Sequence, residues 1–228
     1  MSLFNDFLSL IYPRHCAACS TVLIELEEYL CVTCLTGLPK GRHDFTMGKA
    51  LYEVLGGRVP VRHAGYLYAF EKSGKIQNLI HAIKYNGQKE LAVYLGGLLA
   101  QDLQKDLPDF DLVMPIPLHQ KKLKKRGYNQ SEYFGKGIAR ASGKPLYNRQ
   151  LIRTVNTATQ TKKRKYERWE NVEGIFRVQE ADLLRQKHVL LVDDVVTTGA
   201  TIEAAWEALK PIEGIQLSVA SIAFAKKT

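Results

Sequence analysis

The stretch HVLLVDDVVTTGATIEAAWEAL, His188 to Leu209, constrains the fold of this chain more than any other. Val189 to Val192 form an apolar run with no polar alternation, so the strand they predict must be covered on both faces, as in parallel sheets flanked by helices. The run meets Asp193 and Asp194, crosses a turn expected over Val195 to Ala200, and enters an apolar helix from about Thr201. The rest of the chain alternates in the same way. AGYLYAFEK, DLVMPIP, LIRTV, GIFRV and IQLSVASIAF predict strands. GKIQNLIHAIKY, QKELAVYLGGLLAQDLQ and Asn129 to Ala141 carry helical spacing. The expected class is α/β, a parallel sheet with helices on both sides.

In such a sheet, ligands sit beyond the carboxyl ends of the strands, where VLLV hands over to the paired aspartates. The following helix points its free N–H groups and positive dipole end at that place, which suits a phosphate. Gly199 lets the backbone approach closely, and Thr197, Thr198 and Thr201 add hydroxyl donors. Two carboxylates would repel the phosphate if they faced it. They should face something that donates or is cationic: vicinal ribose hydroxyls or a hydrated magnesium ion. A phosphate beside a ribose diol describes a 5-phosphoribosyl group. The glycine and lysine spacing of Rossmann and Walker loops is absent.

All four cysteines fall in HCAACSTVLIELEEYLCVTC, as Cys16-x2-Cys19 and Cys31-x2-Cys34. Two C-x-x-C turns can share one tetrahedral zinc ion, and a closed four-sulfur site is structural. His15 and His43 are expected to stay outside the shell. The N-terminus lacks the cationic start and unbroken apolar core of a signal peptide, and no window reaches the roughly 18 apolar residues of a membrane span. A cytoplasmic protein with reduced thiols is expected. Leu3, Phe4, Phe7, Leu8 and Ile11 predict an amphipathic helix that docks on the chain's own core, a membrane surface or a partner. At 228 residues, 46% hydrophobic, the chain can bury one substantial core with a small appendage. The composition shift near Gly56 and Gly57 divides it into an N-terminal helix and cysteine module, 1–57, and a main domain, 58–228.

The net charge of +9 is regional: His119 to Arg168 hold 15 Lys or Arg against Glu132 and Glu167, while the remainder is slightly acidic. Two clusters make it, one with Lys121, Lys124, Lys125 and Arg126, the other with Lys162, Lys163, Arg164, Lys165 and Arg168. Solvated loops would account for such runs, but their concentration favours an anionic partner, either a polyphosphate ligand or a nucleic acid backbone. Tyr128, Tyr133, Phe134, Tyr166 and Trp169 lie among the cations and could stack on the bases of single-stranded DNA.

VLLVDDVVTTGAT resembles the phosphoribosyl pyrophosphate (PRPP) fingerprint of type I phosphoribosyltransferases. Together with the cysteine knuckles, IHAIKYNGQKELA, DLVMPIPLH, KKRGYNQSE and NTATQTKKRKYERWENVEGIF, it is similar to the ComF, or competence protein F, family. The resemblance implies a type I phosphoribosyltransferase fold with a small zinc module and a PRPP site over Asp193, Asp194, Val195, Val196, Thr197, Thr198, Gly199, Ala200 and Thr201. It implies a pyrophosphate loop at Leu118, His119 and Gln120. Thr159, Gln160, Arg164, Arg168 and Asn171 match the segment that in related enzymes closes over the substrate. If transfer occurs, its catalytic candidates are Asp193 and Asp194, which would hold magnesium-PRPP, and Arg164 and Arg168, which would stabilise the departing pyrophosphate.

Three classes of function follow. The expected one is a protein binding magnesium-PRPP that supports DNA uptake in natural competence, with single-stranded DNA and competence-machinery proteins as partners. The alternative is transfer of phosphoribose to an unidentified nucleobase or amine acceptor. Ammonia from glutamine is not expected, because no cysteine near position 1 offers an N-terminal nucleophile. A scaffold role would require an exposed apolar patch around Leu23, Ile24, Leu26 and Leu30.

Overall fold

The computed structural model describes residues 13–41, 49–70, 74–103, 109–154 and 174–225. Strands β1 (Val61–Ala69), β2 (Leu112–Pro115), β5 (His188–Val196) and β6 (Gln216–Phe224) form one sheet in the order β1-β6-β5-β2. Every pairing in it is parallel. The two-faced burial expected of VLLV is observed, with Val189, Leu190, Leu191 and Val192 all fully buried.

Alternate residues of each strand serve different layers. Leu67, Val113, Leu190, Val192, Ala220 and Ile222 face helices α3 (Lys75–Tyr85), α4 (Lys89–Leu103) and α6 (Gln130–Ser142), together with the cysteine module and its helix α1 (Val32–Gly37). Leu112, Met114, Val189, Leu191, Leu217 and Val219 face α2 (Lys49–Leu55) and α7 (Ala200–Leu209). Helix α2 thus puts Leu51 and Leu55 into the core of the sheet, although it precedes the division expected near Gly57.

Two expectations are corrected. LIRTV and GIFRV do not join the parallel sheet: β3 (Leu151–Arg153) and β4 (Phe176–Val178) make a separate antiparallel ribbon. The turn after the aspartates is also shorter than Val195 to Ala200. Val195 and Val196 still pair with Ala223 and Phe224 of β6, and helix α7 begins at Ala200. Continued pairing holds the chain extended until Thr197. The cluster QKKLKKR, Gln120 to Arg126, is a short helix, α5, with no buried residue.

Candidate functional site

At the carboxyl end of β5, Thr197, Thr198 and Gly199 close a tight turn into α7. Gly199 caps the helix at φ 74°, a left-handed conformation that disfavours side chains. A Cβ there would also come within 2.7 Å of Leu55. No side chain caps α7, so the first N–H groups of the helix are left for another acceptor. Thr197 and Thr198 are exposed, and residues Asp193 and Val195 to Ile202 line a small concavity. Arg58 fixes the turn from behind, donating to the Thr198 carbonyl at 2.8 Å and pairing with Glu203 at 2.7 Å.

The two aspartates sit in different surroundings. Asp193 is buried, and its Oδ1 accepts from Ser131 Oγ at 3.0 Å and from the Asp194 N–H at 2.8 Å. Burial, then the Asp194 charge, pushes its carboxyl up to about 7. Asp194 is half-buried and pairs through Oδ2 with Lys84 Nζ at 2.9 Å. Its carboxylate suits magnesium, which takes one or two carboxylates and completes its octahedron with water and phosphate oxygens. Asp193, closed in by two donors, is better placed to hold Asp194 and Ser131 in register. Ser131 is itself positioned by Asn129, whose side chain caps α6 and donates to the Ile116 carbonyl at 2.9 Å.

Leu118, His119 and Gln120 bridge β2 and α5. In the His119 ring, Nδ1 accepts the Lys121 N–H at 3.2 Å and caps the helix, which leaves the ring's N–H donor on Nε2. Lys121, Lys124 and Lys125 are exposed on α5. Arg126 donates to Gln130 Oε1 at 2.9 Å and lies over the Tyr85 ring at 5.5 Å. Of the aromatic residues expected to stack on bases, Phe134 is fully buried core. Tyr128 and Tyr133 pack edge to face at 5.4 Å, and the Tyr128 hydroxyl donates to the Ile83 carbonyl. Both are half-buried, and Lys136 lies over the Tyr133 ring at 4.1 Å.

Residues 155–173 lie outside the described residues, and with them Thr159, Gln160, Lys162, Lys163, Arg164, Lys165, Tyr166, Arg168, Trp169 and Asn171. So do His43 and the expected N-terminal helix. The ends of the 155–173 segment are held together by the β3-β4 ribbon and by Thr154 Oγ1 donating to the Gly174 carbonyl at 2.8 Å. Arg153, just before it, is close enough to Asp193 for that charge to oppose the lowering of the guanidinium pKa by burial.

The sulfurs of Cys16, Cys19, Cys31 and Cys34 all lie within 4.8 Å of one another. Cys19 and Cys31 Sγ are 3.7 Å apart, close to the edge of a tetrahedron with zinc–sulfur bonds of about 2.3 Å. The Cys31 N–H donates to Cys16 Sγ at 3.4 Å. The set fits zinc. Beside it, Leu23 and Leu30 are buried, contrary to a patch that includes them, whereas Ile24 and Leu26 are 63% and 95% exposed.

Lys84, Ser131 and Arg58 were not among the residues singled out from sequence. The first two lie in IHAIKYNGQKELA and KKRGYNQSE, stretches that carry the family resemblance, so the signal was present without an assigned partner. Arg58 had none.

Residues 137–228 match the model of the phosphoribosyl transferase domain. The DNA utilization protein YhgH of Salmonella typhi is 27% identical over 200 residues, covering 86% of this chain and 83% of that protein. Competence protein ComFC of Bacillus subtilis is 25% identical over 196 residues, covering 85% and 77%. Among solved structures, the B. subtilis glutamine PRPP amidotransferase complexed with ADP and GMP aligns at 18% identity and a TM-score of 0.42, over 62% of this chain and 30% of that one.

Proposed function

We propose, for a chain that belongs to the ComF family and carries a phosphoribosyl transferase domain, that it binds magnesium-PRPP at the end of β5 and handles DNA in competence or DNA utilization. The observation that carries the ligand is the uncapped start of α7 behind Gly199, with the exposed Thr197 and Thr198 hydroxyls on one side and Asp194 on the other. The 5-phosphate takes the N–H groups of Ala200 and Thr201 and the threonine hydroxyls. The ribose hydroxyls face Asp194, which Asp193 orients. Magnesium, held by Asp194 and ligand oxygens, would neutralise charge on the diphosphate. Leu118 to Gln120 border its path, with the loop's backbone as donors.

The relatives' names, DNA utilization protein and competence protein, support the DNA role, as does the exposed row of Lys121, Lys124 and Lys125. The backbone of a single strand is the partner this row suits, by charge and not by stacking. A structural zinc ion in the four-cysteine set completes the proposal. A second role, contact with another protein of the DNA-handling machinery, is favoured by one observation: Ile24 and Leu26 project from a loop pinned by Glu27, which accepts from the Ile24 and Val32 N–H groups at 3.0 and 2.7 Å.

A thermal-shift comparison of ribose 5-phosphate with PRPP, each with and without magnesium, tests the ligand. Ribose 5-phosphate should stabilise independently of the metal and PRPP more strongly with it. No shift from either would remove the phosphoribosyl site. Mass analysis of the same mixtures with candidate bases shows whether any acceptor receives the group.

A further inference from the structure

All four thiols of this chain stand in one place, with their sulfurs within 4.8 Å of one another. Such a group is a store of reducing electrons as well as a ligand set, because an oxidised sulfur condenses with a thiol that stands beside it. Exposure separates the four. Cys16, Cys31 and Cys34 are buried, whereas Cys19 is half-buried and is followed by Ser20 and Thr21, both exposed. A small solute therefore meets the sulfur of Cys19 first. Cys31 Sγ stands 3.7 Å from it. Cys19 belongs to the first C-x-x-C turn and Cys31 to the second, so joining them takes one ligand from each turn that a tetrahedral ion would bridge.

The first turn is also fastened to the main sheet's helices. Ala18, between its two cysteines, accepts from Asn78 of α3 at 2.9 Å. Ala17 donates to the Tyr29 carbonyl at 3.0 Å, and the Tyr29 ring packs 5.3 Å from that of Tyr94 on α4. No side chain caps the start of α3. That end of the helix is held instead by Asn78 and by the burial of Ile76 and Leu79 in the core they share with Cys16, Cys31 and Cys34. A change at Cys19 therefore reaches α3 through one intervening residue.

We propose that Cys19 is a site of oxidation by hydroperoxides and that Cys31 resolves it as a disulfide. The Cys19 thiolate attacks a peroxide oxygen: the S–O bond forms, the O–O bond breaks, and the departing hydroxide takes a proton to become water. The Cys31 thiolate then attacks the Cys19 sulfur; the S–S bond forms, the S–O bond breaks, and the second oxygen also leaves as hydroxide and takes a proton. Two thiolates have lost two electrons, and hydrogen peroxide has gained them with two protons as two waters. Cys16 and Cys34 alone do not close a tetrahedral shell, so a zinc ion held by the four departs. That departure rests on the zinc reading, and the disulfide does not. As the sulfurs rearrange, the first turn shifts and α3 loses its hold on Ala18.

The first test adds hydrogen peroxide to the full chain as purified, with and without the sulfenic-acid trap dimedone, and maps the peptides by mass. The trap should mark Cys19 several-fold more than Cys16 or Cys34. Without it, a Cys19–Cys31 disulfide should account for most of the oxidised chain and should revert with dithiothreitol, as a disulfide does and a sulfinic acid does not. Cys31→Ser should accumulate the trapped form at Cys19; if that variant does not fold, the wild-type map decides alone. Label that spares Cys19, a disulfide that omits it or pairs it with Cys16 or Cys34, or no reversible product overturns the assignment.

The second test reads the consequences in the same samples. Zinc released to a chromophoric chelator should approach one ion per chain in step with the disulfide, and amide hydrogen exchange over residues 75–85 should quicken in the oxidised chain. Unchanged exchange in α3 of the fully oxidised chain overturns the link through Ala18. A chain that carries no zinc before peroxide is added would sink the zinc reading while the disulfide map still stands, so the two fail separately.

Discussion

His188 shows how one residue at the far end of β5 sets a pH dependence unrelated to the ligand. Its ring is buried, with Nδ1 2.7 Å from the Asp109 carbonyl and Nε2 2.7 Å from Ser218 Oγ. Burial, the largest cause, holds its pKa below the ordinary 6.5, although the Asp109 carbonyl opposes it. The unfolded chain therefore binds the proton more tightly than the folded one. Stability is complete above pH 6.5 and is lost as pH falls below it. Chemical denaturation at pH 7.5 and 5.5 should show this loss in the wild type and a smaller one in His188→Gln. An equal loss in both would place the titration elsewhere. At the same scale, Ser131→Ala removes a donor from buried Asp193, and should cost about 1–3 kcal/mol by leaving a carboxyl oxygen less satisfied.

Helices α4 and α6 show what an element requires of its sequence. A Cβ on Gly96 would meet the Phe134 carbonyl oxygen at 2.1 Å, and one on Gly137 the Val93 carbonyl oxygen at 2.0 Å. The obstacle is backbone, which cannot swing aside. Gly137→Ala should destabilise by about 1–3 kcal/mol from overpacking, despite a gain of up to about 1 kcal/mol in helix propensity. Urea denaturation measures it, and a more stable variant would contradict the packing. Because α6 carries Ser131 to Asp193, the same substitution should weaken ligand binding from a distance. The sheet and most of its helices were legible for a physical reason: the apolar run at Val189 and the spacing in α3, α4 and α6 are direct imprints of burial. Helix α5 was not, since a helix that buries nothing leaves no period. The β3-β4 ribbon reads as two extended segments, and local sequence does not say whether such segments join the main sheet. The site divides in the same way. That a turn into a helix follows the aspartates is local chemistry and could be read, although its bounds, Thr197 to Gly199, could not, and the pairs Lys84–Asp194 and Ser131–Asp193 are tertiary and could not either.

At the scale of the whole molecule, the cysteine module does not hang from the sheet as a separate bead. Cys16, Cys31, Cys34, Leu23, Leu30 and Leu38 share one continuous core with Ile76, Leu79, Leu95 and Val192. Asn78 donates to the Ala18 carbonyl at 2.9 Å, and Lys40 pairs with Asp102 at 3.1 Å. If zinc fills the four-sulfur set, stripping it should therefore lower the melting temperature of the entire chain in one transition, and Cys16→Ser should do the same. Two resolved transitions, with the parallel sheet melting at its wild-type temperature, would show the module to be independent.

The proposed joint hold of the turn after β5 and Asp194 on magnesium-PRPP is tested by calorimetric titration of PRPP in magnesium into wild type, Thr198→Val/Thr201→Val and Asp194→Asn, with circular dichroism confirming that each is folded. One PRPP per chain should bind the wild type. Both variants should weaken it by about tenfold or more, as expected from losing hydrogen bonds to charged groups, and Asp194→Asn should also abolish the effect of the metal. Undiminished PRPP binding in both variants, or none in the wild type, would show that the turn and Asp194 do not hold the ligand.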